Sequence, residues 1–272
     1  MKISVIIPTY KPQSYIWECL DSLCSQTFPK DDFEVILVLN GCKKPYDEQI
    51  REYISKHPDV QWNYIQTDQG GVSNARNIAL DVAKGEYVTF IDDDDYVSPN
   101  FLKRLLDKAT PNIISIAYPY YFYDGKPEEQ VAGALSAAYE YCVTEGINSL
   151  SSKARKFFSG PWMKLFHKSF IQGKYYDTRF SNGEDNIYMF LISDKIKKVA
   201  FTKRDATYFR RLRENSAMNR KRSKIERINN NWKSIVVYTK IFFSGHYSLY
   251  FFSTRVAAEI IGIFKAIVGK SN

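Results

Sequence analysis

The chain has 272 residues, 44% of them hydrophobic and 25% charged, which is the composition of a folded soluble protein with room for one large α/β domain and an appendage. Four cysteines (Cys19, Cys24, Cys42, Cys142) form no CxxC pair and have no His at ligand spacing, which argues against a zinc site and for reduced thiols in a cytoplasmic protein. The formal net charge of +8 is concentrated at 203–224, where nine basic residues meet two acidic ones. That block reads either as a site for a polyanion (phosphate, an anionic membrane or nucleic acid) or as a solvated charged face.

Met1-Lys2 leads directly into a strand at 3–7, so no signal peptide is expected. Ser14 is positioned to cap a helix in which Ile16, Leu20 and Leu23 recur at helical spacing. The continuous apolar run at 35–39 reads as a central parallel strand buried on both faces. A helix at 46–57 and a strand at 60–65 follow; Val72, Ala75, Ala79 and Val82 mark the next helix, with Gly85 as its stop. A strand at 86–91 comes next, then a helix after Pro99. This alternation predicts a mostly parallel sheet with helices on both faces, and ligands in such folds sit at the carboxyl ends of the strands. The segments after Ile7, Leu39, Ile65 and Ile91 are therefore expected to converge on one crevice.

Beyond residue 111 the pattern loosens. An aromatic segment at 118–123 precedes an expected surface loop at 125–131, and a helix is expected over 137–157 with a weak point at Gly146. Helices are also expected at 184–192, from Ile225 to Phe242, and over the apolar stretch 250–268. Arg255, Glu259 and Lys265 make that last stretch too polar for a membrane span. It suits an interfacial helix, a helix packed on a partner, or one buried against its own domain.

Four consecutive carboxylates, Asp92, Asp93, Asp94 and Asp95, follow a buried strand. Such a run repels itself unless a cation neutralises it, and hard oxygen donors select Mn²⁺ or Mg²⁺. A second feature is the GGVSNARN segment at 70–77. Its paired glycines at a helix start let backbone amides approach an anion, with Arg76 one turn in.

Taken in order, VIIPTY at 5–10, LDSLCSQTF at 20–28, GGVSNARN at 70–77, GEYVTFIDDDD at 85–95, PWMKLF at 161–166 and GED at 183–185 closely resemble family 2 glycosyltransferases of the GT-A fold. The resemblance spans about 1–216, divided into a nucleotide-binding half (1–110) and an acceptor half (111–216). It leaves 217–272 as a basic, aromatic helical extension. It implies an inverting enzyme that transfers a sugar from a nucleotide-diphosphate sugar to a glycan or polyprenyl-linked glycan hydroxyl in bacterial surface polysaccharide synthesis. Pro8, Thr9, Tyr10, Asn40, Asp68, Gly71, Asp93 and Arg76 would border the donor, Arg76 near the base or diphosphate. Asp92 would face the ribose and metal, and Asp94 the Mn²⁺ or Mg²⁺ ion. Asp185 would be the general base with Glu184 beside it, and Trp162 and Lys164 would serve the acceptor. Arg213, with Arg210 and Arg211, lies in YFRRLRENS at 208–216, which resembles the segment that closes over the diphosphate in relatives. Where relatives carry Asp-Asp-Gly-Ser this chain has LNGC at 39–42, so Asn40 stands at the usual acidic base contact and a UDP-sugar is only weakly favoured. The expected setting is cytoplasmic or peripheral to the inner face of the plasma membrane, with a homodimer left open.

Two other readings compete. A nucleotidyltransferase would show a Gly-rich basic loop where this chain has PTYKP at 8–12. A non-catalytic polyanion binder explains the basic block but not the Asp run, which would repel a nucleic acid backbone.

Overall fold

Strands β1 (Ile3–Thr9) and β2 (Phe33–Asn40) are buried along their whole length, which is the environment of central parallel strands covered on both faces. They lie in a computed structural model that describes residues 1–150, 153–213 and 223–268. The other strands are β3 (Gln61–Thr67), β4 (Tyr87–Phe90), β5 (Tyr96–Val97), β6 (Ile113–Ile116), β7 (Tyr118–Tyr123), β8 (Lys126–Val131), β9 (Lys164–His167), β10 (Lys198–Phe201) and β11 (Thr207–Leu212). Seven strands form the main sheet in the order β10-β6-β9-β4-β1-β2-β3. All its pairings are parallel except those of β9, which runs antiparallel to both β4 and β6. A second sheet, β5-β11-β7-β8, lies beyond the end of β4.

The helices are α1 (Tyr15–Cys24), α2 (Tyr46–Ser55), α3 (Val72–Val82), α4 (Phe101–Leu106), α5 (Ala134–Thr144), α6 (Lys168–Ile171), α7 (Glu184–Leu191), α8 (Lys224–Phe243) and α9 (Leu249–Val268). The first three are the crossovers that parallel strands require. Helices α8 and α9 form a hairpin whose first turn is capped by Ser223, its side chain accepting from the Glu226 N–H at 3.1 Å. No helix among the described residues is long and apolar enough to cross a membrane.

Four local expectations are corrected. Ser14 precedes α1 in a helical conformation, and its side chain makes no capping bond. Gly85 is not a left-handed helix stop; α3 ends at an extended Ala83, and a Cβ at Gly85 would lie 2.4 Å from the Ser4 nitrogen. The glycine is needed for that close approach, fixed by the Gly85 N–H donating to Ser4 Oγ and by Ser4 and the Lys84 N–H donating to the buried Glu34 carboxylate. Residues 126–131 are not a loop but strand β8, paired with β7; its side chains are almost all exposed and polar, so no apolar alternation marks it. The helix expected over 137–157 is two pieces, α5 and a 3₁₀ segment (Ala154–Ser159), separated at Gly146, whose φ is +61°.

Candidate active site

The carboxyl ends of β1 to β4 open onto one cleft of about 1150 Å³. Pro8, Thr9, Tyr10, Asn40, Asp68, Gly71, Arg76, Asp92, Asp93, Asp94, Glu184, Asp185 and Arg213 all line it, joined by Tyr15, Arg210 and Arg211. The convergence expected from strand order is therefore present.

The loops that floor the cleft are held by Asn40. Its Nδ2 donates to the Thr9 carbonyl at 2.7 Å and its Oδ1 accepts the Gly71 N–H at 2.8 Å. Both ends of this buried amide are thus occupied by backbone, so Asn40 joins two loops instead of presenting a free amide to a base. The paired glycines also act differently from the expectation. The Gly71 amide is already used, and a Cβ at Gly41 would meet Gly70 Cα at 2.8 Å, so glycine at 41 lets the two loops touch.

Each aspartate of the run has its own partner. Asp92 Oδ1 accepts from Arg76 Nη2 at 3.0 Å. Asp93 accepts from the Thr9 hydroxyl. Asp94 accepts from Arg213, whose Nε lies at 2.8 Å and whose guanidinium stacks on Tyr15. Asp95 is buried, accepting from the Tyr208 hydroxyl and the Arg211 N–H, both at 2.8 Å, which gives it a structural role. Burial first and the neighbouring carboxylates second push Asp93 up to about 7 and raise Asp94 and Asp95. This is the electrostatic condition of a site short of positive charge, with hard oxygen donors facing a cleft. The donor set suits Mn²⁺ or Mg²⁺ completed by phosphate oxygens. Among the described residues no group of three His, Cys, Asp or Glu is arranged to hold an ion alone.

Asp185 and Glu184 stand in the first turn of α7, after Gly183 in the left-handed region. Asp185 Oδ1 accepts from Arg76 Nη1 at 2.6 Å. Arg76 is therefore not a surface cation awaiting an anion: its guanidinium, 3% exposed, forks between Asp185 and Asp92 and lies over the Tyr176 ring. Desolvation raises Asp185 to about 6 against the opposing pull of Arg76. Its side chain keeps 27% exposure, enough to meet a ligand. Glu184 Oε2 is buried with no hydrogen-bond partner among the described residues.

Trp162 and Lys164 do not line the cleft. Trp162 is buried and carries the Arg210 guanidinium on its ring at 4.5 Å. Lys164 is wholly buried, Nζ donating to the carbonyls of Gly160 and Trp162 at 2.8 and 3.0 Å, and burial lowers it to about 7. Trp162 thus backs a cleft-lining arginine, and Lys164 braces the backbone that carries Trp162. Of the basic block, Lys203 to Arg213 and Lys224 are described; Glu214 to Ser216 of the closing segment, Arg220, Lys221, Arg222 and the boundary at 216–217 lie outside the described residues.

The sequence assigns several supporting residues no role of their own. Tyr208, whose hydroxyl also accepts the Asp92 N–H, is one. The others are on the C-terminal hairpin and hold α7 and the segment just before it: Asn230 Nδ2 donates to the Asn182 carbonyl at 3.2 Å, Arg255 Nη1 to Asn186 Oδ1 at 2.7 Å, and Tyr247 to the Leu191 carbonyl at 3.0 Å.

A mostly parallel sheet with an acidic cleft at its carboxyl edge, faced by helix-borne carboxylates, is the architecture of the GT-A fold. The family model "Glycosyl transferase family 2" matches residues 4–173, and the chain belongs to that family. It is 43% identical over 103 residues to the poly(ribitol-phosphate) beta-N-acetylglucosaminyltransferase TarS of Staphylococcus aureus, covering 38% of this chain and 18% of that protein. It is 38% identical over 112 residues to a poly(ribitol-phosphate) beta-glucosyltransferase of Bacillus spizizenii, covering 41% of this chain and 18% of that one. The chain thus spans under a fifth of the length of these two relatives. Against GlyG, a glycosyltransferase of Streptococcus pneumoniae, identity is 29% over 226 residues, covering 79% and 72%. In fold it matches S. aureus TarS 1–349 in complex with UDP-GlcNAc, with a TM-score of 0.72, 22% identity and coverage of 97% and 73%. It also matches the Pyrobaculum calidifontis mannosyltransferase PcManGT in complex with GDP-Man and Mn²⁺, with a TM-score of 0.66, 17% identity and coverage of 98% and 73%.

Proposed function

We propose that this chain is an inverting glycosyltransferase that moves a sugar from a nucleotide-diphosphate sugar onto a hydroxyl of a surface glycan or its polyprenyl-linked precursor. The observation that carries this reading is the Arg76 fork, which ties Asp185 to Asp92 of the acidic run across the cleft floor. A proton acceptor is thereby held beside the edge where the donor's ribose and diphosphate would lie.

In the reaction, an acceptor hydroxyl attacks the anomeric carbon while its proton passes to Asp185. The bond from that carbon to the diphosphate oxygen breaks, and the electron pair leaves on the diphosphate. One displacement opposite the leaving group inverts the anomeric centre. Arg210 and Arg213 line the cleft and are suited to stabilise the departing charge. Asp92 and Asp94 would hold Mn²⁺ or Mg²⁺ together with diphosphate oxygens, and a bound ion supplies charge neutralisation for the leaving group. Pro8, Thr9, Tyr10, Asp68, Gly71 and Asp93 border the donor, with Asn40 organising their loops. Glu184 lines the cleft beside Asp185 and is placed to accept from an acceptor hydroxyl. Trp162 and Lys164 act on the acceptor half through Arg210 and the backbone at 160–162.

Relatives named for poly(ribitol-phosphate) support a polyol or glycan hydroxyl as acceptor. The fold itself does not choose the base, since one neighbour holds UDP-GlcNAc and another GDP-Man. A thermal-shift screen of nucleoside diphosphates and nucleotide sugars, with and without Mn²⁺, tests the donor class. A metal-dependent rise in melting temperature with one base supports the reading, and no rise with any of them contradicts it.

A further inference from the structure

The C-terminal hairpin has two different faces. Its inner face is committed to the catalytic domain through Asn230, Tyr247 and Arg255, and Phe190 of α7 packs among Tyr238, Tyr247, Phe251 and Phe252. Its outer face is covered by no other element among the described residues. Eleven of the 18 exposed large hydrophobic side chains among the described residues lie on α8 and α9. On α8 they form one stripe, Ile225, Trp232, Val236 and Phe243, with Trp232 62% and Phe243 80% exposed. On α9 they recur at three- and four-residue spacing through Ile260, Phe264 and Ile267, Phe264 being 69% exposed. A patch of this kind on a folded chain marks an interaction surface.

The charges around it select the occupant. Lys224, Lys233, Lys240 and Lys265 are all exposed on the same two helices, against only two acidic residues between 223 and 268, Glu226 and the half-buried Glu259. A second copy placed on this face would bring lysines against lysines. A surface of anionic lipid headgroups satisfies both features at once, taking the apolar stripe into the headgroup layer and the ammonium groups at its edge. We infer that the outer face of the α8–α9 hairpin, through Trp232, Phe264, Lys233 and Lys240, is a docking surface for an anionic lipid bilayer. This does not rest on the sugar-transfer reading, and it places the helix carrying Asp185 one layer from the bilayer, because the inner face of the same hairpin holds α7.

The test is sedimentation of the full chain with phosphatidylglycerol–phosphatidylcholine vesicles, at low and high salt, for wild type, Lys233→Gln/Lys240→Gln and Trp232→Ser/Phe264→Ser. All four side chains are exposed, so melting temperatures should be unchanged. Wild type should pellet with vesicles and be released by salt. Partitioning should fall about fivefold for each lysine removed, and by more when both aromatic side chains are lost. Trp232 emission should shift to the blue on binding. Unchanged partitioning in both variants, or no binding by wild type, overturns the inference. So does an oligomer, seen by analytical ultracentrifugation without lipid, that the Trp232→Ser/Phe264→Ser variant abolishes, since the face would then belong to a second copy.

Discussion

Arg76 Nη1 and Asp185 Oδ1 lie 2.6 Å apart, although 109 positions separate them in the chain. The pair joins the third crossover helix to the first turn of α7. Because the same guanidinium also holds Asp92, the general-base candidate and the first residue of the acidic run share one buried cation.

That sharing sets a pH dependence. Asp185 must be ionised to accept a proton, and its pKa of about 6 lies above the ordinary carboxylate value. We expect kcat/KM to be flat above about pH 7 and to fall tenfold per unit below pH 6. Arg76 favours the ionised form, so Arg76→Met should move this acid limb to higher pH and lower the plateau. A pH–rate profile with an unmoved limb would show that Arg76 does not govern this carboxylate.

Asp94→Ala should abolish the Mn²⁺-dependent part of nucleoside-diphosphate affinity while leaving the protein folded. Its carboxylate accepts from Arg213, which keeps its contact with Tyr15 in the variant, so metal-independent binding should remain. Titration calorimetry with and without Mn²⁺ separates the two contributions. Equal metal-linked affinity in wild type and variant would remove Asp94 from the ion site.

Asn40→Asp puts a carboxylate where an amide donates to the Thr9 carbonyl. The lost donor and the added charge in a buried position should destabilise the protein by about 2 kcal/mol, read by urea unfolding. Because the amide is bonded to Thr9 and Gly71, the change acts on base preference only through the loops that Asn40 joins. Any shift in ranking among nucleoside diphosphates should accompany a loss of donor affinity overall.

Glu259 of α9 gives a second pH signal, in stability. Burial raises it to about 7, against the opposing charge of Arg255. Between the ordinary glutamate pKa and 7 the folded state therefore binds more protons than the unfolded one. Stability should fall as pH rises through that window and be lowest above it. Glu259→Gln should flatten the slope and raise stability at neutral pH, by on the order of 1 kcal/mol after allowance for solvent screening. Thermal melts from pH 5 to 8 check this, and parallel curves for both proteins would contradict it.

What the sequence displayed was what is local. The apolar run at 35–39 and the carboxylates at 92–95 each announce an element and its end, and strand order alone brought their loops together. Partner choice is not local. Nothing near Arg76 indicates that it will be buried against residues on α7, and Asn40 looked like a base reader because its loop contacts are 31 residues away. The acceptor role of Lys164 is what the resemblance implies, and no neighbour in sequence shows that the ammonium will be wholly buried on the carbonyls of Gly160 and Trp162. Strand β8 was missed because an exposed edge strand needs no apolar alternation.

The most direct test of the central claim is an NMR determination of the product's anomeric configuration, with wild type and Asp185→Asn run in parallel on the donor found by thermal shift. Wild type should give a product of opposite configuration to the donor. Asp185→Asn should bind the donor normally and lose turnover by at least about a hundredfold. A retained configuration, or turnover by Asp185→Asn within a few-fold of wild type, would contradict single displacement with Asp185 as its base.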